Sequence, residues 1–288
     1  MTIPAPGPAW APSDRELERQ DVRRRLRRRS LLVAGASTSA FFVLLGVGLV
    51  LSPGWEKVRE TFFSWSAAQD SFPLMLDAFW LNVRIFLVAE PAILVLALLV
   101  AVMRGTRSAW LAPVRIVAVA FTDIMRGIPT LLLVVLLGFG VPALQLQGLT
   151  TDRLVWATVA LILSYSAYVA EVFRAGIESI HPSQIASARA LGLGPVRTLR
   201  HVVVPQAVRR VVPPLLNDFI SLQKDTALVS LVGVYDGVFA ARDYASYNFN
   251  YTSLVVVALF FIVLTVPLAR FTDWLQRRVM ERERAGSL

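Results

Sequence analysis

The chain has 288 residues, 56% of them hydrophobic, and a mean hydropathy of +0.59, which is too apolar for an ordinary soluble domain. It has no cysteine, so disulfides, thiol catalysis and cysteine-ligated zinc are excluded. The net charge is +9, but the arginines cluster beside long apolar runs, so the basic balance points to membrane lipids as partners and not to nucleic acid.

Residues 1–30 form a basic N-terminal segment. Within it, 1–13 are rich in Pro and Ala and read as disordered, and 14–29 suit a helix lying on anionic lipid. Arg27, Arg28 and Arg29 precede Ser30 and two leucines, much like a twin-arginine export signal. The apolar run that follows is long and lacks a small-x-small cleavage site, so it reads as a basic membrane anchor. Six stretches then approach the roughly 20 residues that cross a bilayer. They are 31–51, 79–103, 111–141, 154–174, 208–234 and 253–270. The second carries Asn82, Arg84 and Glu90. The third is interrupted by Asp123, Arg126, Gly127 and Pro129, and the fifth is the most polar. A charged tail, 276–288, follows the last. The predicted fold class is therefore all-α: a polytopic membrane protein of about six transmembrane helices. Lys and Arg set the orientation. With both termini inside, the cytoplasmic pieces 1–30, 104–115, 174–210 and 270–288 hold 22 basic residues, against 4 in the pieces outside.

The cytoplasmic stretch 183–207 has its own pattern. Pro182 is acceptable at a helix start, and Ala186, Ser187 and Ala188 keep the helix thin enough to lie in a partner's groove. Gly192 ends it where the chain must turn, and Gly194-Pro195 completes the turn. A second, basic helix carrying Arg197, Arg200 and His201 is expected to run to Pro205. Acids and arginines inside the spans are costly unless they face a cavity, a partner or an interface. Ser164, Tyr168 and Glu171 share one helix face, as do Asp218, Ser221 and Asp225, so two polar stripes suggest a lined pathway. Glu171 and Asp225 suit an ammonium or a cationic side chain, and Arg126 suits a carboxylate. Competing structural readings are an Asp123–Arg126 intrahelical pair, a gate or interfacial ion pair at Glu171, and pairing of Lys224 and Asp225 across a dimer.

Gly192, nine residues and then Val202-x-Val204-Pro205 resemble the EAA loop of ABC importer permeases. Three further segments resemble the polar amino-acid branch of that family: Arg126-Gly127-Ile128-Pro129, Ala170-Glu171-Val172-Phe173-Arg174-Ala175-Gly176-Ile177, and the run from Asn217 to Ser230. The likeness covers 74–275, with the coupling loop at 182–205 and the 31–51 span added to a five-helix core. Ala186-Ser187-Ala188 replaces the family's Glu-Ala-Ala, so any salt bridge from that glutamate is lost. The resemblance implies a transport subunit, not an enzyme, of a bacterial inner-membrane importer. It implies two permease chains, alike or different, two cytoplasmic ATPase subunits and an extracytoplasmic amino-acid-binding protein. The chain lacks a Gly-x4-Gly-Lys-Ser/Thr phosphate loop, so no cofactor is expected on it, and ATP and Mg would be used by the partner ATPases. The rival reading is a stand-alone secondary transporter or channel using intramembrane acids, which has no need of a docking loop with this spacing.

Overall fold

The computed structural model describes residues 14–106 and 108–285, and all regular elements among them are helical. The Pro/Ala-rich stretch 1–13 and the end of the charged tail, 286–288, lie outside the described residues. The chain divides into two units, 1–60 and 61–288. The first unit is dominated by α1 (Asp14–Val50), one helix that runs from the arginine-rich stretch straight into the apolar one. Its apolar side chains, Leu32, Phe41 and Leu44 among them, are exposed, as suits a lipid-facing segment. Helix α2 (Trp55–Phe62) follows at the division between the units.

The second unit begins with α3 (Trp65–Gly105), whose first turn is capped by Ser64 Oγ accepting from the Ala67 N–H. Next come α4 (Ala112–Gly127) and α5 (Thr130–Leu144), then α6 (Arg153–Glu178), capped by Asp152. A short α7 (Pro182–Ala190) precedes α8 (Pro195–Thr198) and α9 (Val204–Asp225). The unit closes with α10 (Gly237–Asn248) and α11 (Thr252–Ala285). Helix α6 sits at the centre and packs on α3, α4, α5 and α9. Its inner face is built from small residues, with Ala157, Ala160, Ser164, Ala167 and Ala170 fully buried, and small side chains let neighbouring backbones approach closely. Near its end, a Cβ on Gly176 would collide with the Val211 side chain of α9, so the two helices cross closely there. One apolar core gathers Ile93, Val134, Leu161, Leu222 and Val229 around α6. A second joins Met75 of α3 to Ala240, Ala241 and Val257 of α10 and α11. At that end of the bundle the Ser64 N–H donates to Thr252 Oγ1 and the Tyr251 N–H to the Thr61 carbonyl, tying two corners of the chain together.

Among the described residues four helices are long and apolar enough to cross a membrane, and a bent α4–α5 pair makes five. The expected third span is broken: the two helices meet at 102°. Ile128 is extended because it precedes Pro129, and proline disfavours helical backbone in the residue before it. The expected fifth span, 208–234, is two elements. Helix α9 carries Arg209, Arg210, Asp218, Lys224 and Asp225 and ends there; 3-10 turns over Thr226–Val232 then lead to Gly233 at φ 83°.

Candidate functional site

Two surfaces emerge: a polar seam between α4–α5, α6 and α9, and the knuckle at 182–205. At the seam the α4–α5 break presents its loose end to the polar stripe of α6. Thr130 Oγ1 and Ser164 Oγ lie 2.8 Å apart, and the Tyr168 hydroxyl donates to the Arg126 carbonyl at 3.3 Å. That carbonyl is one of those a helix leaves unpaired at its last turn. Ser164, Tyr168 and Glu171 thus do share one face, and it looks at the break. Ser164 is buried, whereas Tyr168 is 39% exposed.

Glu171 is crowded by arginines. Arg104 of α3 donates to it at 2.8 Å, Arg174 pairs with it one turn along α6, and Arg126 reaches to 3.9 Å. Arg174 also pairs with Glu178. Asp123 is exposed, and the Arg126 guanidinium takes Glu171 as its acidic neighbour, so the intrahelical Asp123–Arg126 pair does not form.

The acids of α9 are placed differently. Asp225 accepts one hydrogen bond from the Tyr165 hydroxyl of α6 at 2.8 Å. Asp218 lies two stripe positions earlier, within electrostatic reach of Glu90 of α3, and its Oδ2 is buried without a hydrogen-bond partner. Ser221 lies between them on the same face, half-buried. Lys224 is exposed and points away from Asp225, as sequence neighbours on a helix must. Beyond α9, Asp236 caps α10 through the Phe239 N–H, and Asn82 bridges the corner. Asn82 Nδ2 donates to Asp236 Oδ2 at 2.8 Å and its Oδ1 accepts from the Gly237 N–H. Burial pushes the Asp236 carboxyl up to about 6 despite the hydrogen bonds it accepts.

In the knuckle, Pro182 opens α7 and the His181 ring nitrogen accepts the Ser183 N–H. The helix ends in a Schellman turn: the Leu193 N–H donates to the Ala188 carbonyl and the Gly192 N–H to that of Arg189. Gly192 stands at φ 81°, and an added Cβ there would meet nothing within 4 Å. Positive φ is therefore what requires glycine, not a close neighbour. Ala186 and Ser187 are exposed and Ala188 is buried. The second helix does not stop at Pro205. Helix α8 passes through a π-helical turn, Leu199–Val203, into α9, giving one rod from Pro195 to Asp225. Pro205 has no N–H to offer, and the wider turn just before it accommodates the ring. Arg197, Arg200 and His201 lie on the exposed side of this rod.

Several participants were not singled out from the sequence. Thr130, Tyr165 and Arg104 belong to the seam by contacts across 34, 60 and 67 residues, and no local pattern reports such pairings. Leu191 and Val196 are 83% and 76% exposed and make the knuckle apolar as well as basic; their setting beside Gly192 in a polar loop was the available signal. Helix α10 was not singled out either; Asp236, its N-cap residue, was the available signal. Among the described residues no group of three or more His, Asp or Glu is placed to hold a metal.

The family model for "binding-protein-dependent transport system inner membrane component" matches residues 94–281. A probable glutamine ABC transporter permease protein of Bacillus subtilis (strain 168) is 33% identical over 211 residues, 73% of this chain and 95% of its own length. A glutamine transport system permease protein of Escherichia coli (strain K12) is 31% identical over 218 residues, 75% of this chain and 98% of its own. Among solved structures, an amino acid ABC transporter crystallised with histidines superposes with a TM-score of 0.67 at 26% identity, covering 75% of this chain and 98% of that one.

Proposed function

The chain belongs to the inner membrane components of binding-protein-dependent transport systems and is the permease subunit of an ABC importer, and from that premise we propose that it carries a polar amino acid across a bacterial inner membrane. Such permeases are not enzymes, and the family works with ATPase and substrate-binding partners. For this chain the proposed assembly has two ATPase subunits at the 182–205 knuckle, a second permease chain, and an external binding protein on the opposite face. ATP and Mg are used by the ATPases. The 22-to-4 distribution of basic residues supports six passes with both termini and Gly192 in the cytoplasm.

The observation that carries the reading is the continuous rod from Pro195 to Asp225. It spans about 45 Å at 1.5 Å per residue. One end is the basic, apolar knuckle, and the other bears Asp218, Ser221 and Asp225. The helical backbone is unbroken between the two, so a displacement at the knuckle has a direct covalent and hydrogen-bonded route to the acids, which is what alternating access driven from the cytoplasm needs. The unpartnered Asp218 and the singly bonded Asp225 suit an ammonium or cationic side chain, and Arg126, exposed beside the break, suits a carboxylate. Glu171 already neutralises arginines, which favours an ion-pair hub or gate over a substrate ligand.

Reconstitution with and without the ATPase tests this. Concentrative amino-acid uptake is expected only with the ATPase, ATP and the loaded binding protein. Uptake by this chain alone on a proton gradient would establish a secondary transporter instead.

A further inference from the structure

Arg84 is the one basic residue of the second predicted span that the seam does not use. It is exposed on α3 and has no ion pair or hydrogen bond with any described residue. It lines a groove of about 470 Å³ between α3 and α6 whose other walls are almost wholly apolar. On α3 the groove is formed by Leu81 and Val88 around Arg84, and on α6 by Val155, Val159 and Ile162. On each helix these positions recur at spacings of three and four, so the groove runs along the helices.

Its depth follows from helix geometry. Arg84 and Arg104 are twenty residues apart on α3, about 30 Å along the axis, which is one hydrocarbon thickness. Arg104 is joined to Glu171 near the far end of α6, and Arg153 opens α6 eighteen residues before Glu171. Arg84 therefore lies level with the start of α6, at the membrane–water boundary opposite the Glu171 hub and the Gly192 knuckle. The apolar part of the groove extends from there toward the bilayer centre. A guanidinium without a partner, at headgroup depth, over an acyl-sized apolar channel is complementary to one kind of molecule.

We infer that this groove is a binding site for a single phospholipid of the leaflet opposite the knuckle, with its phosphodiester on Arg84 and one acyl chain between α3 and α6. Arginine suits the phosphate because its forked donors meet two oxygens at once. The acyl chain fills the groove along Val88, Val159 and Ile162. The inference goes beyond the transport reading and requires only that α3 and α6 span the membrane.

Native mass spectrometry of the full chain tests it, using protein purified in mild detergent with whatever partners it retains. Delipidated protein is titrated with dioleoylphosphatidylglycerol, with dioleoylglycerol, which has the same chains and no phosphate, and with inorganic phosphate. One tightly held phosphatidylglycerol per chain is expected, with neither dioleoylglycerol nor phosphate retained. Arg84→Gln is expected to weaken retention about tenfold or more, as for loss of a charged hydrogen bond, and Arg84→Lys to restore part of it. Val159→Trp, which fills the groove and leaves the charge, should also expel the lipid. Equal retention by wild type, Arg84→Gln and Val159→Trp would overturn the assignment. So would disulfide capture of a second copy of the chain by Val159→Cys, which would show that protein covers the groove.

Discussion

Glu171 and Asp225 are both carboxylates on helices of the bundle, and their surroundings are opposite. Glu171 is held by Arg104 and Arg174, with Arg126 nearby. Asp225 has one tyrosine hydroxyl, and Asp218, two turns away on the same face, has an oxygen with no partner at all. An acid that neighbouring cations already neutralise is part of the framework, and removing it strands those cations. An acid left underpaired in an apolar setting is costly to the folded protein and is retained where it meets something that arrives later. Under the proposed function, the same carboxylate chemistry serves structure at one end of the seam and substrate at the other.

The largest expected effect comes from breaking the paired side. Glu171→Gln leaves Arg104, a side chain only 13% exposed, without its counter-charge. The pair is partly buried, and loss of its charged hydrogen bond costs about 1.5–3 kcal/mol. The purified chain should melt at markedly lower temperature and assemble poorly, and charge-neutralising Arg104→Gln in the same molecule should recover much of the loss. Poor transport with full stability would instead place Glu171 among the substrate ligands.

A smaller effect is expected at the knuckle. Gly192→Val forces a β-branched residue to φ 81°, at a cost of roughly 1–2 kcal/mol, and the α7 end should rearrange. Co-purification of the ATPase, or its stimulation by the loaded binding protein, should fall while the spans stay inserted. Gly192→Asn, which tolerates the left-handed region better, should fall less. Wild-type coupling in Gly192→Val would remove the knuckle from the pathway of force.

The smallest effect belongs to a third acid, Asp236, which is neither ion-paired nor part of the seam. Burial raises its carboxyl to about 6, above the value near 4 of an unfolded chain. The folded state therefore holds the proton more tightly, and its stabilisation is full below about pH 4 and is lost as pH rises through 6. Melting temperature should decline across that window in wild type. In Asp236→Asn, which caps a helix as well as aspartate does, that part of the slope should vanish. An unchanged slope would contradict the assignment.

What could be read from the sequence was what periodicity carries. The 164, 168, 171 stripe and the 218, 221, 225 stripe follow from 3.6 residues per turn, and Gly192 followed from the need for a turn before Gly194-Pro195. The helix through Pro205 was not legible, because proline reads as a terminator and the π-helical turn just before it has no sequence signature. The 102° break was visible as Gly127 and Pro129 but not as an angle. The separation of Glu171 from Asp225 into two roles was hidden as well, since Arg104 and Tyr165 reach them from 67 and 60 residues away.

The contrast between the two acids is tested most directly by uptake and ATP hydrolysis measured together in Asp225→Asn. The substitution keeps the shape and the Tyr165 contact and removes only the charge. Uptake should fall at least tenfold, roughly the weight of one charged hydrogen bond, while melting temperature, ATPase co-purification and basal hydrolysis stay at wild-type values. Wild-type uptake, or loss of the complex in place of loss of transport, would contradict it.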